Sequence, residues 1–517
     1  MEPRTTNKTQ VVIVGAGPAG LSLAAQLFRH NIEFILLEKN ETTTSLSKAI
    51  VVQARTLEIF QELGIAEEAI KRGAITTDMN LYYKGKKRVS VNLSGLGAGL
   101  SDFPFALSLE QSETEKLLVE YLLKNKKAVH WKSEFTHFKE HNEEVTAYYK
   151  DENGNQHDIV ANYLVGCDGA GSLIRHQLDL SFEGSTEPKL FYVADVKLKS
   201  TVINKNALYF YMTKKGFVLF FPMEGHGHYR IVGVLPEDEN KNEYQFSGIE
   251  PIIKEQIISP VDFEELRWFS TYKVHSRKAA SFFKGHCFIA GDAAHIHTPA
   301  GGQGMNTGIQ DAYNLAWKIA YASRKELSNE VLKTYDTERI GNAKRLLQTT
   351  DRIFDIMSGV NPFWNFVRLS FLPLFFNLLG RSKLVKRKIF PLLSQTGIAY
   401  PDSFLSLKSS IGKVKAGDRM PYFVFSNGRS IFSYLSQPFF KLVYFENDDV
   451  SNHPLKDSKL PVEFLCFKEI PSPIFGAAKK FYILLRPDNH ISYIGTDISK
   501  CRELINKILL IETINGN

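Results

Sequence analysis

Cysteine is scarce: Cys167, Cys287, Cys466 and Cys501 are scattered over 517 residues, with no C-x-x-C pair and no metal-ligand spacing. Dithiol redox chemistry and a cysteine metal centre are thereby excluded as organising features. Cys167 and Cys287 lie in apolar runs and read as small buried hydrophobes. No apolar run is long enough to span a bilayer. The most apolar, aromatic stretch, Phe363 to Leu379, is shorter than the roughly 20 residues required and contains Arg368 and Pro373. The N-terminus, MEPRTTNKTQ, lacks the apolar core of a secretion signal, so a reduced cytoplasm is the expected compartment.

A strong charge imbalance is missing too. The 63 basic and 56 acidic residues leave a net charge of +7, spread along the chain, which favours solubility and gives no nucleic-acid footprint. One cluster stands out, Arg381, Lys383, Lys386, Arg387 and Lys388, directly after the apolar stretch. Two readings compete for this pair: a membrane-surface helix with a basic flank, or a buried helix between domains with a solvated end. The buried helix is the expectation. His295 and His297 stand two apart in a loop with no cysteine or second histidine pair nearby, so no metal is expected.

What is present is ordinary globular composition, 44% hydrophobic and 23% charged, at a length that fits two or three domains. Three stretches carry the chemistry. Val11 to Val14 is a β-branched run followed by Gly15-Ala16-Gly17-Pro18-Ala19-Gly20, then by Leu23, Ala24, Leu27 and Phe28 at helical spacing. A second run, Phe34 to Leu37, ends at Glu38 and Lys39. This is a βαβ unit with the dinucleotide fingerprint in place: glycines for the tight turn, pyrophosphate approach and helix packing, and Glu38 for a ribose hydroxyl. A carboxylate there would repel a 2′-phosphate, which disfavours NADP at this site and makes FAD attractive.

The second stretch, Tyr163 to Arg175, has an apolar strand, the tip Cys167-Asp168-Gly169 and a helix start. The third, Phe288 to Ala320, runs from a buried strand through Gly291-Asp292 and a loop with Pro299, Gly301, Gly302 and Gly304 into a helix. Donors at such a helix start favour an electron-rich ligand. By spacing alone Arg55, near the start of a helix through Leu57 and Phe60, is equally a phosphate clamp or a paired surface charge, and Gln111 is more simply a helix-cap residue.

In order and spacing, VGAGPAG, GCDGAGSLIR and GDAAHIHTPAGGQGMNTGIQDAYNLAWKI resemble the single-component FAD-dependent aromatic monooxygenases, the para-hydroxybenzoate and phenol hydroxylase-like group. The resemblance covers essentially the whole chain. It implies an α/β fold: a Rossmann-like FAD-binding domain of about 9–77, 101–178 and 284–355, interleaved with a mixed substrate-binding sheet of about 78–100 and 179–283. A helical segment, 356–400, and a thioredoxin-like C-terminal domain, 401–517, without C-x-x-C would complete it. Strands are expected at Ala207–Met212, Phe217–Phe221, Tyr229–Val234, Phe439–Tyr444, Val462–Phe467 and Phe481–Leu485, and a final helix at Cys501–Ile511.

The resemblance also implies roles. Gly15, Gly17, Pro18, Ala19, Gly20, Glu38 and Lys39 would hold the adenosine diphosphate of FAD. Arg55 and Gln111 would contact the cofactor, and Asp168 and Arg175 would carry the second motif. Gly291 and Asp292 would take the ribityl chain; Pro299, Gly302, Gly304, Met305 and Asn306 would edge the flavin ring, with Phe221 and Pro222 as the wall above it. NAD(P)H would reduce the flavin, O2 would add at its C4a carbon, and the hydroperoxide would hydroxylate an aromatic, phenolic or polyketide-like substrate, antibiotics included. No catalytic acid or base is singled out. Two alternatives stand beside this reading, a flavin-dependent reductase or desaturase of a lipid or prenyl chain and a non-enzymatic flavin-binding scaffold. A homodimer is compatible with the sequence, which does not decide it.

Overall fold

The computed structural model describes residues 7–44, 49–203, 207–213, 216–235, 244–299, 301–358, 362–446 and 461–509. The N-terminal hexapeptide and the expected helical positions Leu510 and Ile511 lie outside these residues.

The three motif strands are neighbours in one sheet. Cys287–Ile289, Gln156–Gly166 and Asn7–Val14 run parallel, followed by Phe34–Leu37 and Val129–His130. Val14 pairs with Gly166 and Gly166 with Ile289, so all three strands end on one row. Their β-branched runs are buried on both faces, as a parallel sheet requires. Helix Pro18–Arg29 follows the first strand and packs on helix Gly304–Ser323, which follows the third loop.

A second, eight-stranded sheet contains all three strands expected in this region, found at Ala207–Thr213, Gly216–Pro222 and His228–Val234. It also holds two 18-residue strands, Phe182–Lys199 and Asp262–Ala279. Side chains alternate between its faces. Tyr209, Tyr211 and Phe220 pack with Ile249, Ile253 and Ile257 of helix Phe246–Ile257. Phe210, Met212 and Phe217 pack on the other face with Phe354, Leu372 and Phe376.

Near the C-terminus a four-stranded sheet has the order Glu463–Phe467, Lys441–Glu446, Lys480–Leu485, Ile491–Gly495, the first pair parallel and the others antiparallel. The last strand escaped the sequence reading, and the final helix spans Ile498–Ile508. One face of this sheet meets Trp317 and Tyr321 of helix Gly304–Ser323. Beside that contact lies a buried polar network. Arg486 donates to Glu338 (2.6 and 3.0 Å) and to Asp488, while Lys318 (2.9 Å), Asn314 (2.8 Å) and Ser403 (2.6 Å) also donate to Glu338. Arg486 stacks between the rings of Trp317 and Tyr400. The Tyr400 hydroxyl accepts from Arg339 (2.9 Å), whose Nε donates to Asp311 (2.6 Å).

The helical segment departs from expectation. Helices Leu372–Arg381 and Lys383–Leu393 are not sandwiched between domains. Leu372, Phe376 and Leu379 face inward, but Phe371, Leu374, Phe375 and Leu378 are exposed. Apart from Asn377 and Arg381 this helix is apolar, and the structure covers only one side.

Burial by itself would raise the Glu338 carboxyl, but the charges of Arg486 and Lys318 outweigh it and hold the group down to about 2. A folded value below the unfolded one, 4.5, contributes stability above that pH and loses it as pH falls towards 2. Glu338→Gln is expected to cost about 3–5 kcal/mol at neutral pH by leaving buried Lys318 without a carboxylate and removing one of the two that answer Arg486. In chemical denaturation the gap between variant and wild type should narrow below pH 4.5; a pH-independent gap would refute the electrostatic origin.

Candidate functional site

Beyond the row Val14–Gly166–Ile289, backbone pairing continues into the tips: Cys167 N–H donates to Val14 O (2.7 Å), Ala290 N–H to Gly166 O (2.9 Å) and Gly15 N–H to Leu37 O (2.8 Å). The three glycine tips therefore open side by side at the carboxyl edge of a parallel sheet, where open α/β folds bind ligands. Gly15 has φ +101°, and a Cβ there would lie 2.4 Å from the Cys167 carbonyl oxygen. A Cβ on Gly20 would lie 1.9 Å from the Gly15 oxygen, so this helix start can lie against the turn only as glycine. At Gly17, by contrast, a Cβ would meet nothing within 4 Å, because it faces the cleft.

That cleft, about 350 Å³, is bounded by Gly15 and Gly17, by Glu38 and Lys39, and by Asp168 and Gly169. Glu38 Oε2 accepts from Ala16 N–H (2.7 Å) and Oε1 from Asn40 N–H (3.0 Å), which fixes the carboxylate against the glycine turn. Asp168 Oδ2 caps the following helix, accepting from Leu173 N–H (2.8 Å), while Oδ1 is buried with no hydrogen-bond partner in the structure. Arg175 faces inward, donating to Ala293 O (2.9 Å) and Ala170 O (2.8 Å), and stacks on Phe182. It ties the second tip to the third.

Asp311, on the helix after the third loop, sets that loop's start. Its Oδ2 accepts from Gly291 N–H (3.1 Å) and His295 Nε2 (2.7 Å), and its Oδ1 from Arg339. His295 is therefore a structural partner. His297 Nδ1 donates to Thr298 O (2.7 Å), which leaves Nε2 an acceptor; that atom and Thr298 Oγ1 are buried without partners. Burial pushes the His297 imidazole down to about 4, so it is neutral near pH 7. A Cβ on Gly304 would lie 3.3 Å from His297 Nε2, so the unpaired acceptor sits at the start of the glycine-loop helix. Asp292 and Pro299 are exposed, and Gly302, Gly304 and Met305 are half-buried.

Two of the expected cofactor residues are turned to protein partners in the structure. Arg55 does not face the cleft: its guanidinium is buried against Glu58 (3.0 Å), the Asp488 carbonyl (3.1 Å) and the Tyr313 ring. It fastens its helix to the C-terminal region, with Glu58 as the paired counter-charge that burial demands. Asn306 is also fully engaged, accepting from Gln53 N–H (2.8 Å) and Thr56 (2.7 Å) and donating to Val51 O (2.8 Å) and Gly302 O (2.9 Å). Its side chain clamps the glycine loop to strand Val51–Val52. Gln111 donates to Glu115 (2.9 Å), which lines the cleft, but Gln111 itself does not.

Gly302 packs against Val51, and Val51 packs with Ile50, Met223, Ala106 and Phe221. The glycine loop and the end of strand Gly216–Pro222 thus meet across one side chain. Behind them Arg230 is fully buried, bidentate to Asp195 (2.7 and 2.6 Å), and donates to Ala49 O (3.1 Å). The sequence reading missed His297 Nε2, Gln53 and the Arg230–Asp195 pair, whose partners are set by the fold and not by spacing. A roomier cavity, about 900 Å³ near Lys197, Lys199 and His228, shares no residue with the cleft.

A glycine turn open to a cleft, an acidic strand end and unpaired acceptors at Asp168 and His297 fit a dinucleotide with an extended second half, which is the class a flavin oxidoreductase of this fold defines. The sequence model of a family described as "FAD binding domain" matches residues 8–350. The chain is 32% identical over 420 residues to 6-methylpretetramide 4-monooxygenase of Streptomyces rimosus, covering 79% of this chain and 73% of that one. It is 27% identical over 509 residues to an uncharacterized aromatic compound monooxygenase, YhjG, of Bacillus subtilis (strain 168), covering 97% of each. Its fold superposes on OxyS anhydrotetracycline hydroxylase from Streptomyces rimosus with a TM-score of 0.78 at 25% identity, over 97% of this chain and 99% of that one. The chain belongs to the single-component FAD-dependent aromatic monooxygenase family, and FAD is its cofactor.

The glycine geometry separates two substitutions. Gly17→Ala should leave the unfolding midpoint of the FAD-free protein unchanged while weakening FAD binding at least about tenfold, since the methyl projects into the cleft. Gly15→Ala should lower that midpoint as well, because the left-handed turn and the Cys167 carbonyl leave no room. Flavin titration and thermal unfolding of both variants decide it; equal unfolding midpoints would contradict the assignment.

Proposed function

We propose that this chain is an NAD(P)H-consuming monooxygenase that uses O2 to hydroxylate an aromatic, phenolic or polyketide-like small molecule in the cytoplasm. The observation that carries the reading is the single row at which three glycine-bearing tips open, with an apolar shelf of Phe221, Met223 and Val51 beside the third. The relatives described above are named for 6-methylpretetramide, an aromatic compound and anhydrotetracycline, which supports an aromatic or fused-ring substrate.

Bound FAD supplies the electron relay, by which two electrons from the nicotinamide place one atom of O2 on the substrate as hydroxyl and release the other as water. The chain supplies binding, orientation and dryness. Gly15, Gly17, Pro18, Ala19 and Gly20 present backbone donors of a helix start to the diphosphate, with Glu38 and Lys39 at the ribose end. Asp168 would accept from the cofactor through its unpartnered Oδ1, and Arg175 holds the second tip in place. Gly291 and Asp292 would take the ribityl chain. The amides around Gly302, Gly304 and Met305 lie along the ring beside Pro299, where fixed donors stabilise developing charge, and Asn306 keeps that loop in shape. Phe221 and Pro222 close the apolar wall that excludes water.

The same reading divides the chain into an FAD-binding domain (about 9–77, 101–178 and 284–355), a substrate sheet (about 78–100 and 179–283), the helical segment 356–400 and a thioredoxin-like region, 401–517. The strand order and terminal helix of the last support its assignment. Without paired cysteines its part is structural: it anchors the glycine-loop helix through Trp317 and Arg486.

The test is NAD(P)H oxidation by the yellow protein with a panel of phenols, polyketides and antibiotics, with H2O2 measured alongside. One compound should accelerate oxidation about tenfold or more and gain a single oxygen, with little peroxide released. Absence of NAD(P)H consumption with every compound would overturn the reading, and consumption with reduction or desaturation of the compound would replace it with a different flavin chemistry.

A further inference from the structure

Between Asp355 and Asp402 the sequence has no acidic residue and six basic ones, so this segment carries six of the seven units of net positive charge. One of the six, Arg368, is buried and donates to the Met357 (2.7 Å) and Thr213 (2.9 Å) carbonyls. The other five, Arg381, Lys383, Lys386, Arg387 and Lys388, form no ion pair with any described residue, whereas 20 other described lysines and arginines do. They begin at the last residue of helix Leu372–Arg381, whose outward stripe is apolar.

That stripe, Phe371, Leu374, Phe375 and Leu378, follows the i, i+3, i+4, i+7 spacing of one helix face, and Leu374 is 64% exposed. Phe363 and Phe366 on the preceding turn extend it. On the next helix Leu384, 75% exposed, and Leu392 alternate with exposed Arg387 and Lys388. Both helices turn their other faces to one cluster, Leu379 and Phe376 from the first and Val385 and Ile389 from the second, packed on Met79 and Val91. Their outward faces therefore share one side of the molecule. Water gains nothing from eight aromatic and aliphatic side chains held open on a surface, and contiguous patches of this kind mark contact sites.

We infer that this face docks on an anionic phospholipid bilayer. Aromatic and leucine side chains would enter the headgroup boundary while the unpaired cations meet lipid phosphates, the arrangement of an interfacial amphipathic helix. No helix among the described residues is long and apolar enough to cross a membrane, so the contact is peripheral. Charge complementarity selects this occupant. A second copy of the chain would bring five like charges against five, and a neutral apolar partner would leave the cations unanswered. The inward face of the same helix lies on Phe210 and Phe217 of the substrate sheet, so docking would set that sheet close to the bilayer surface.

Flotation of the FAD-loaded full-length protein with phosphatidylcholine vesicles, with and without about one-third phosphatidylglycerol, tests the inference. Binding should require the anionic lipid and fall about tenfold or more when salt is raised from about 0.05 to 0.5 M, as screening demands. Arg387→Ala with Lys388→Ala, and separately Leu374→Ser with Phe375→Ser, should each release the protein while leaving bound flavin and NAD(P)H oxidation in solution unchanged. The charge pair keeps the test valid if the apolar pair fails to fold. Absence of binding to anionic vesicles overturns the inference, as does equal binding to neutral ones. A dimer by light scattering that the Leu374 and Phe375 variant dissociates, without vesicle binding, overturns it in favour of an interface between copies.

Discussion

The Asp311 carboxylate is where the structure is decided. It is buried and accepts at once from the backbone of the third tip at Gly291, from His295 four residues on, and from Arg339 of the next helix. A buried carboxylate is tolerable only when its oxygens are answered by donors and by a cation. Burial alone would raise its pKa, but the neighbouring Arg339 and His295 reverse the shift and keep it ionised. Arg339 in turn holds Tyr400, Tyr400 stacks on Arg486, and Arg486 answers Glu338 and Asp488. A chain of buried charges and rings thus runs from the glycine loop to the C-terminal sheet, and removing Asp311 or Glu338 takes from Arg339 or Lys318 the carboxylate that answers it.

This explains how a loop rich in glycine can be shaped before any ligand arrives. Glycine permits the left-handed turns at Gly301 and Gly302 but does not enforce them. Enforcement comes from both sides. Asp311 fixes the start of the loop, and Asn306 fixes its end by bonding Gly302 and the Val51–Val52 strand. The same strand carries Val51 against Phe221, so one rigid element relates the loop to the apolar end of strand Gly216–Pro222 in the second, eight-stranded sheet. Preorganised donors of this kind are what transition-state charge stabilisation requires.

Beyond the site, the chain distributes its apolar surface unevenly. The parallel sheet, the second eight-stranded sheet and the C-terminal sheet each pack apolar clusters against their faces. Helix Leu372–Arg381 is covered on one side only, and the surplus positive charge of the chain stands next to the uncovered side. A largely apolar helix at a surface is informative because folding did not need its second face.

The sequence by itself determined the three strand tips, because an apolar run followed at once by glycine fixes local backbone conformation through residues adjacent in the chain. Gly15, Gly20, Glu38, Asp168 and Gly291 could be read that way, and with them the family and FAD. The sequence could not say that Arg55 turns to Asp488, 433 residues away, or that Asn306 serves Val51 at a separation of 255. A polar side chain beside a glycine motif looks the same whether it meets ligand or protein. The exposure of Phe371, Leu374, Phe375 and Leu378 was hidden for the matching reason: a helix apolar but for Asn377 and its terminal Arg381 carries little record of which side the sheet will cover. Only the tertiary structure, which decides what lies against each face, settled these points.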